Sequence, residues 1–178
     1  MRAILLAAGL GTRLAPITDT LPKCLVPING KPLLDYWIEQ LFNAGIERIL
    51  INTHCFREQV EHHIENSEYV NRIDLIYEKE LLLTGGTVLY NKDFINDQTF
   101  MLVHADNLSI CDFNAFMDAH YARPSGTEIT MMTFMTDTPQ SCGIVEVDAN
   151  GVVFDFHEKK EKPPSSMANA AVYIIEPS

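Results

Sequence analysis

The sequence has little positive charge and no long apolar run. Only 13 of its 178 residues are lysine or arginine, against 24 aspartates and glutamates, which gives a formal net charge of −11. A surface that binds duplex nucleic acid needs a basic footprint, so we expect no nucleic-acid partner. A membrane-spanning helix needs about 18 consecutive apolar residues. No stretch approaches that length, so we expect no membrane partner.

Cysteine is scarce and widely spaced. Cys24, Cys55, Cys111 and Cys142 form no CxxC pair, which argues against a zinc site and against a compact disulfide framework. Free thiols persist in a reducing compartment, so we expect a cytoplasmic protein. The opening residues carry one basic residue and a short apolar run followed by glycines, which is not the layout of a signal peptide.

What the sequence does contain is an alternation of strand and helix patterns within one domain-sized chain. Apolar residues make up 47% of it, enough for a packed core. Apolar runs predict strands at 3–7, 46–53, 73–78 and 99–106. Apolar spacing predicts helices at 32–45 and 56–66, a further helix is expected at 113–121, and the segment 84–94, which opens with glycines, is expected to start a helix. This alternation predicts an α/β fold with a doubly wound, mostly parallel sheet. The later residues are richer in strand, with a hairpin turn at Asn150–Gly151.

Three loops follow the predicted parallel strands. They are the segment 8–31, the segment 78–86, in which Thr84 is a candidate helix cap, and the segment 104–107. In open α/β sheets ligands bind at the carboxyl ends of the strands. We therefore expect these loops to form one pocket.

The opening loop, within "LLAAGLGTRLAPITDTLPKCLVPINGKP", is rich in glycine, proline and cations. It fits neither common phosphate motif, because Leu14 stands where the dinucleotide pattern needs its third glycine, and Pro32 follows Lys31 where a P-loop needs serine or threonine. Glycines let backbone N–H groups face an anion. Arg13 and Lys23 are either solvated surface charges or a pair of cations suited to phosphoryl or nucleotidyl transfer.

The stretch "GLGTRLAPITDTLPKCLVPINGKPLLDY" resembles the sugar-1-phosphate nucleotidylyltransferases, or nucleotide-sugar pyrophosphorylases. Their pattern is G-x-G-T-R-[LM]-x-P-x-T, then P-K-x-L-x-P, then K-P. The similarity continues in "ELLLTGG", "VHADN", "CGIVEVDANGVVFDFHEK" and "NAAVYI". It implies the Rossmann-like nucleotide-diphospho-sugar transferase fold as a single domain, 1–178. Residues 1–110 would form a nucleotide-binding half, and residues 111–178 a β-rich sugar-phosphate-binding half.

The resemblance also implies the reaction, in which a nucleotidyl group passes from an NTP to a sugar 1-phosphate and pyrophosphate leaves. Arg13 and Lys23 would be the catalytic cations, Arg13 on the leaving pyrophosphate and Lys23 on the α-phosphate. The implied nucleotide-binding residues are Leu6, Ala8, Gly9, Gly11, Thr12, Arg13, Glu78, Gly85 and Gly86.

Asp106 would bind Mg²⁺, the implied cofactor. The implied sugar-phosphate-binding residues are Asn107, Gly143, Glu158, Lys159 and Asn169. The sequence departs from the family pattern where Ala105, Leu83 and Ala171 stand in place of frequent glycines. We expect the change at Ala171 to be one of packing.

The sequence leaves several alternatives open. A carboxylate at Glu78 suits the N–H donors of guanine, which favours GTP with mannose or heptose 1-phosphate, while UTP, CTP and dTTP remain open. A non-catalytic binding module of the same fold is the alternative of another class, although such relatives usually lose the loop arginine and lysine. Family members continue through a segment with a second metal-binding aspartate, so we expect the C-terminal part to be incomplete. A homo-oligomer is possible.

Overall fold

The computed structural model describes residues 1–177 and contains an eight-stranded mixed sheet with helices packed on it. The sheet strands are β1 Arg2–Leu6, β4 Arg48–Thr53, β5 Ile73–Tyr77, β6 Phe100–His104, β7 Ile129–Met135, β8 Gly143–Val147, β9 Val153–Glu158 and β10 Met167–Ile175. A separate two-stranded ribbon in the opening loop consists of β2 Pro27–Ile28 and β3 Lys31–Pro32. The helices are α1 Leu33–Asn43, α2 Arg57–Glu65, α3 Leu83–Tyr90, α4 Lys92–Ile95 and α5 Phe113–Tyr121.

The strand order confirms the predicted architecture. β5, β4, β1 and β6 are parallel neighbours, with Arg2 opposite Arg48 on one side and Phe100 on the other. The β-rich extension follows in antiparallel order, since β10 pairs with β6, β8 with β10, and β9 with β8. Both predicted halves therefore contribute strands to one sheet, and their division into nucleotide and sugar halves stays a prediction.

The central elements form where apolar residues are buried on both faces or along one helix stripe. The strand β1 buries Ala3 to Leu5 completely, as expected of a parallel strand covered on both sides. Helix α1 buries Leu34, Trp37 and Leu41 against it, one helical turn apart. None of the helices within residues 1–177 has the length and apolar character needed to cross a bilayer.

The prediction that Thr84 caps the helix after β5 was wrong. Helix α3 begins at Leu83, and no side chain caps its N-terminus, so Thr84 is not the cap. The Thr84 hydroxyl instead lies 3.5 Å from Nε2 of His104. The segment 84–94, in which a helix start was expected, contains most of α3 and all but the last residue of α4, and these two helices meet at Asn91.

Two non-glycine residues have left-handed backbones where the family pattern has glycine. Leu83 has φ 61° and Ala171 has φ 56°. A Cβ in this region costs about 1–2 kcal/mol per residue. The departure at Ala171 is therefore a matter of backbone conformation, and our expectation of a packing change was wrong.

Replacing Ala171 with glycine should stabilise the fold. Glycine accepts the left-handed conformation without the Cβ clash, and after its larger unfolded-state entropy is subtracted we expect a gain of about 0.5–1 kcal/mol. Urea denaturation measures it. The neighbouring Ala170→Gly is the control, because Ala170 is buried and is not left-handed, so its glycine variant should lose stability. A lower urea midpoint for Ala171→Gly would contradict the strain argument.

Candidate active site

Two adjoining cavities open at the carboxyl edge of the parallel strands. The smaller, of about 210 Å³, is lined by the ends of β1, β4 and β6 and by the start of α3. The larger, of about 890 Å³, is lined by the opening loop, the segment after β6, and strands β7 and β10. Asp106 lines both cavities, so they meet at its carboxylate.

The structure brings together many of the predicted site residues. The smaller cavity contains Leu6, Ala8, Gly9, Glu78 and Asp106. The larger cavity contains Arg13, Lys23, Asp106, Asn107, Lys159 and Asn169. The other six predicted site residues line neither cavity, namely Gly11, Thr12, Gly85, Gly86, Gly143 and Glu158. Of these, Gly85 and Gly86 lie in the first turns of α3, between Thr84 and Thr87 of the smaller cavity.

A tight turn in the opening loop presents Arg13. Gly11 has φ 68°, and a Cβ there would lie 2.9 Å from Cγ2 of Thr18, so the position needs glycine. Thr18 is buried, and its hydroxyl donates to the carbonyl of Gly11 at 2.8 Å. The following 3₁₀ turn holds Thr12 and Arg13 exposed. Within residues 1–177 Arg13 forms no salt bridge, so its guanidinium is available to an anion from outside the protein.

A second 3₁₀ turn presents Lys23. The turn is anchored by Cys24 and Leu25, both buried in the main core. Burial raises the pKa of the Cys24 thiol to about 12, so this cysteine is unreactive at neutral pH. Lys23 extends from the anchored turn and its Nζ lies 2.7 Å from Oδ2 of Asp106. The exposed fractions of the two side chains are 17% and 40%.

Asp106 is positioned by the pairing of β6 with β1. The N–H of Ala105 donates to the carbonyl of Leu6 at 3.0 Å, which extends the pairing one residue beyond β6. Ala105 is fully buried and is not left-handed, so alanine fits where the family pattern has glycine. Asp106 is the next residue, and its carboxylate emerges at the edge where the cavities meet.

The surroundings of Asp106 fit a magnesium ion held partly by substrate. Mg²⁺ commonly takes one or two carboxylates together with phosphate oxygens. The other acid of the larger cavity, Asp112, caps α5 by accepting from the N–H groups of Asn114 and Ala115. Asp106 thus offers one carboxylate beside two cations suited to phosphates, which matches that mode of binding.

A second group of candidate metal ligands lies elsewhere. Ligand atoms of Glu146, Asp155 and His157 lie within 4.8 Å of one another. Successive residues of a strand face opposite sides of the sheet, so His157 faces away from Glu158. His157 Nε2 lies 2.6 Å from Oε1 of Glu146, and Lys160 donates to its Nδ1. The group is therefore occupied by its own hydrogen bonds and does not belong to the site at Asp106.

Glu78 faces the smaller cavity but already accepts hydrogen bonds from the protein. It is 3% exposed. Its Oε1 accepts from Asn52 Nδ2 at 2.9 Å and from the Thr87 hydroxyl, and its Oε2 accepts from the N–H of Leu82 at 3.2 Å. Its backbone carbonyl accepts from His54, which lines neither cavity. The role of Glu78 in reading the base stays a prediction.

Asn52 is a site residue that the sequence analysis missed. It is buried at the end of β4, and its Oδ1 accepts from the N–H of Ala7 at 2.6 Å and of Ala8 at 3.3 Å. Its amide donates to Glu78, so it joins the opening loop to the wall of the smaller cavity. A signal was present in the sequence, since a polar residue that closes a buried apolar strand must find partners.

His104 is a second missed residue. It ends β6, lines the smaller cavity, and packs edge-to-face against Tyr173 with ring centroids 6.5 Å apart. Burial lowers the pKa of His104, and the opposing attraction of Asp106 does not cancel this effect. The imidazole is therefore neutral at pH 7.

The sugar-side residues are arranged around a bulge in β10. Asn169 Oδ1 accepts from the N–H of Ala171 at 2.8 Å, where the pairing with β7 changes register. Asn107 donates through Nδ2 to the carbonyl of Ala170 at 3.1 Å, and Trp37 donates to the backbone carbonyl of Asn107. Among residues 1–177, Asn107 Oδ1 is a buried acceptor without a protein partner. Its part in binding a sugar hydroxyl stays a prediction.

Gly143 and Glu158 face each other at the end of the β8–β9 hairpin. A Cβ on Gly143 would lie 2.6 Å from Cζ of Phe156 and 3.0 Å from Oε2 of Glu158. Only glycine therefore leaves room for these two side chains next to residue 143. Glu158 and Lys159 form a solvent-exposed ion pair of 3.2 Å. Only Lys159 of this group lines the larger cavity.

Comparison with known proteins places the chain in a family. The family model described as nucleotidyl transferase matches residues 2–178, and the chain belongs to this family of sugar-1-phosphate nucleotidylyltransferases. A low-salt glycan biosynthesis nucleotidyltransferase of Haloferax volcanii is 33% identical over 100% of this chain and 50% of the relative. The mannose-1-phosphate guanylyltransferase of Mycobacterium tuberculosis is 30% identical over 98% and 48%. The chain spans about half the length of the curated relatives it matches.

Solved structures confirm the fold. A Bacillus anthracis protein described as a glucose-1-phosphate thymidylyltransferase superposes with a TM-score of 0.84 at 22% identity, covering 99% of this chain and 71% of that one. An apo UDP-glucose pyrophosphorylase gives 0.83 at 22% identity, covering 99% and 76%. The predicted nucleotide-diphospho-sugar transferase fold is therefore correct.

His104 should make folding stability depend on pH. Its folded-state pKa is lowered, while the unfolded value is about 6.5. The unfolded chain therefore takes up the proton first as the pH falls, so acidification from about 6.5 down to the folded pKa favours unfolding. We expect His104→Gln to lose less stability than the wild type between about pH 7 and about pH 5, in urea denaturation at each pH.

The control for this prediction is His62→Gln. His62 is exposed on α2 and should leave the wild-type pH dependence in place. If His104→Gln and the wild type lose equal stability on acidification, His104 is not the group that titrates.

Proposed function

We propose that this chain carries the substrate site of an enzyme that transfers a nucleotidyl group from an NTP to a sugar 1-phosphate, releasing pyrophosphate. The observation that carries the proposal is that Arg13, Lys23 and Asp106 line one cavity, which meets the glycine-loop cavity at Asp106. The base would occupy the smaller cavity, and the phosphates of the nucleotide would extend past Asp106 into the larger cavity, which would also hold the sugar phosphate. Family membership supports this reaction class.

The geometry suits a displacement between two anions. An oxygen of the sugar phosphate attacks the α-phosphorus, and fixed cations offset the negative charge that accumulates. Lys23 would exchange Asp106 for an α-phosphate oxygen, and the planar guanidinium of Arg13 would bind the departing pyrophosphate. The Gly11 turn would orient Thr12 toward the same phosphates. A magnesium ion at Asp106, when bound, would supply further charge neutralisation to phosphate oxygens.

The base and the sugar are finer proposals. GTP with mannose or heptose 1-phosphate is favoured, because relatives at 30% identity or more include mannose-1-phosphate guanylyltransferases. A carboxylate has about four acceptor positions, and three of those on Glu78 are taken by the protein, which leaves one on Oε2 for a guanine N–H. UTP and dTTP are the alternatives, since other similar proteins are described as uridylyl- and thymidylyltransferases, and CTP also stays open.

The remaining assignments complete the proposal. Asn107, Gly143, Glu158, Lys159 and Asn169 would form the sugar-phosphate side, and Gly85 and Gly86 would allow the base to approach α3. The four cysteines are free thiols, which supports a reducing compartment such as the cytoplasm. Homo-oligomerisation stays a prediction.

The test is pyrophosphate release by the full chain with Mg²⁺ across four NTPs and a panel of sugar 1-phosphates. We expect turnover, highest with GTP and a manno-configured sugar. Lys23→Ala should reduce it by at least about 100-fold, because a fixed charge on the transferred group is removed. Lys92→Ala, exposed at the start of α4 and outside both cavities, should leave turnover unchanged.

Two results would count against the enzyme. A folded Lys23→Ala protein with wild-type turnover would show that the cavity at Asp106 is not the site of chemistry. Nucleotide binding without turnover for any sugar phosphate would instead indicate the non-catalytic binding module.

The dependence of turnover on magnesium tests whether the metal binds at Asp106 or at the group of Glu146, Asp155 and His157. Turnover should be lost in EDTA and restored by added Mg²⁺. Asp106→Asn should raise the Mg²⁺ concentration for half-maximal rate by roughly tenfold or more, because one ligand charge is lost. Asp155→Asn, in the group with Glu146 and His157, should leave that concentration unchanged. The reverse pattern would move the metal site to the β8–β9 hairpin.

A further inference from the structure

Leu83 is unusual in both backbone and side chain. It is the first residue of α3, its φ is 61°, and its side chain is 77% exposed. A bulky residue rarely adopts this left-handed conformation, and such strain collects at functional sites. The exposed side chain gains little from burial in return. Burial of the side chain therefore does not offset the cost of the backbone conformation at Leu83.

The side chain of this strained residue lines a cavity. Leu83 lines the smaller cavity together with the apolar side chains of Leu6 and Leu81. It belongs to neither buried core cluster of the described residues. Leu89, on the same helix and 72% exposed, is not left-handed and lines neither cavity. Exposure of leucine on α3 is thus common to both residues, whereas the strained backbone and the cavity position are peculiar to Leu83.

We propose that Leu83 is a specificity-determining residue for the nucleotide, with its side chain packing on the flat face of the base. This inference rests on the proposed function, because it places the base in the smaller cavity. Its largely exposed side chain lines that cavity, where it would shield one face of a bound ring from water. Apolar contact grows with the area covered, so a purine gains more from Leu83 than a pyrimidine does.

Two substitutions separate the side chain from the backbone strain. Leu83→Ala removes the apolar body and keeps a Cβ in the left-handed conformation. Leu83→Gly removes both. We expect either variant to bind GTP roughly tenfold more weakly in the presence of Mg²⁺, as measured by calorimetry on the full chain, with a smaller loss for UTP. Only Leu83→Gly should also raise the urea midpoint, because only glycine relieves the strain.

Leu89→Ala is the matched control, and it should bind both nucleotides as the wild type does. Wild-type GTP affinity in Leu83→Gly, or an equal loss of affinity for GTP and UTP, would overturn the inference. The proposed function would stand in either case as long as the wild-type protein turns over. Tighter binding by Leu83→Gly would also overturn it, since Leu83 would then obstruct the cavity. A wild-type chain that binds no nucleotide would refute the proposed function itself.

Discussion

The ion pair between Lys23 and Asp106 connects the parts of this structure on which its chemistry depends. It joins the opening loop to the end of β6 at the point where the two cavities meet. Each partner is held by a rigid element, one by a turn anchored through Cys24 and the other by the pairing of β6 with β1. A charge that is largely removed from water is costly when unpaired. The pair therefore stabilises a lysine that is largely removed from water at the point where the two cavities meet.

The two sides of the site differ in how far they are organised in advance. At the smaller cavity, Asn52, Glu78 and Thr87 form a buried network whose members bond to one another and to the opening loop. A fully satisfied network of this kind rigidifies its surroundings. Arg13 and Lys159, by contrast, have exposed side chains beside the larger cavity. Within residues 1–177, Lys159 pairs only with its exposed neighbour Glu158, and ordering long exposed side chains of this kind costs binding energy whenever a ligand engages them.

The sequence predicts those features that depend on local pattern. Buried runs gave the parallel strands, helical spacing gave α1, and the shared carboxyl edge of parallel strands brought Lys23 to Asp106, 83 residues apart. It did not predict the bond between Asn52 and Glu78, because that bond depends on the register of β4 against β5, where Asn52 lies opposite Ile76. A register is set by the whole sheet and not by the residues near either partner.

Residue types alone also do not predict which positions of the site have a left-handed backbone. Leu83 and Ala171 occupy positions where the family pattern has glycine, and both are left-handed. At Ala171 the conformation is required by the β10 bulge, which turns Asn169 and presents the carbonyl of Ala170 to Asn107. A methyl group there adds nothing to the cavities, so the substitution brings strain alone. At Leu83 the same strain comes with an apolar side chain that lines the smaller cavity. A side chain that replaces glycine under the same backbone strain can act on a ligand only where it lines a cavity, and of these two residues only Leu83 lines one.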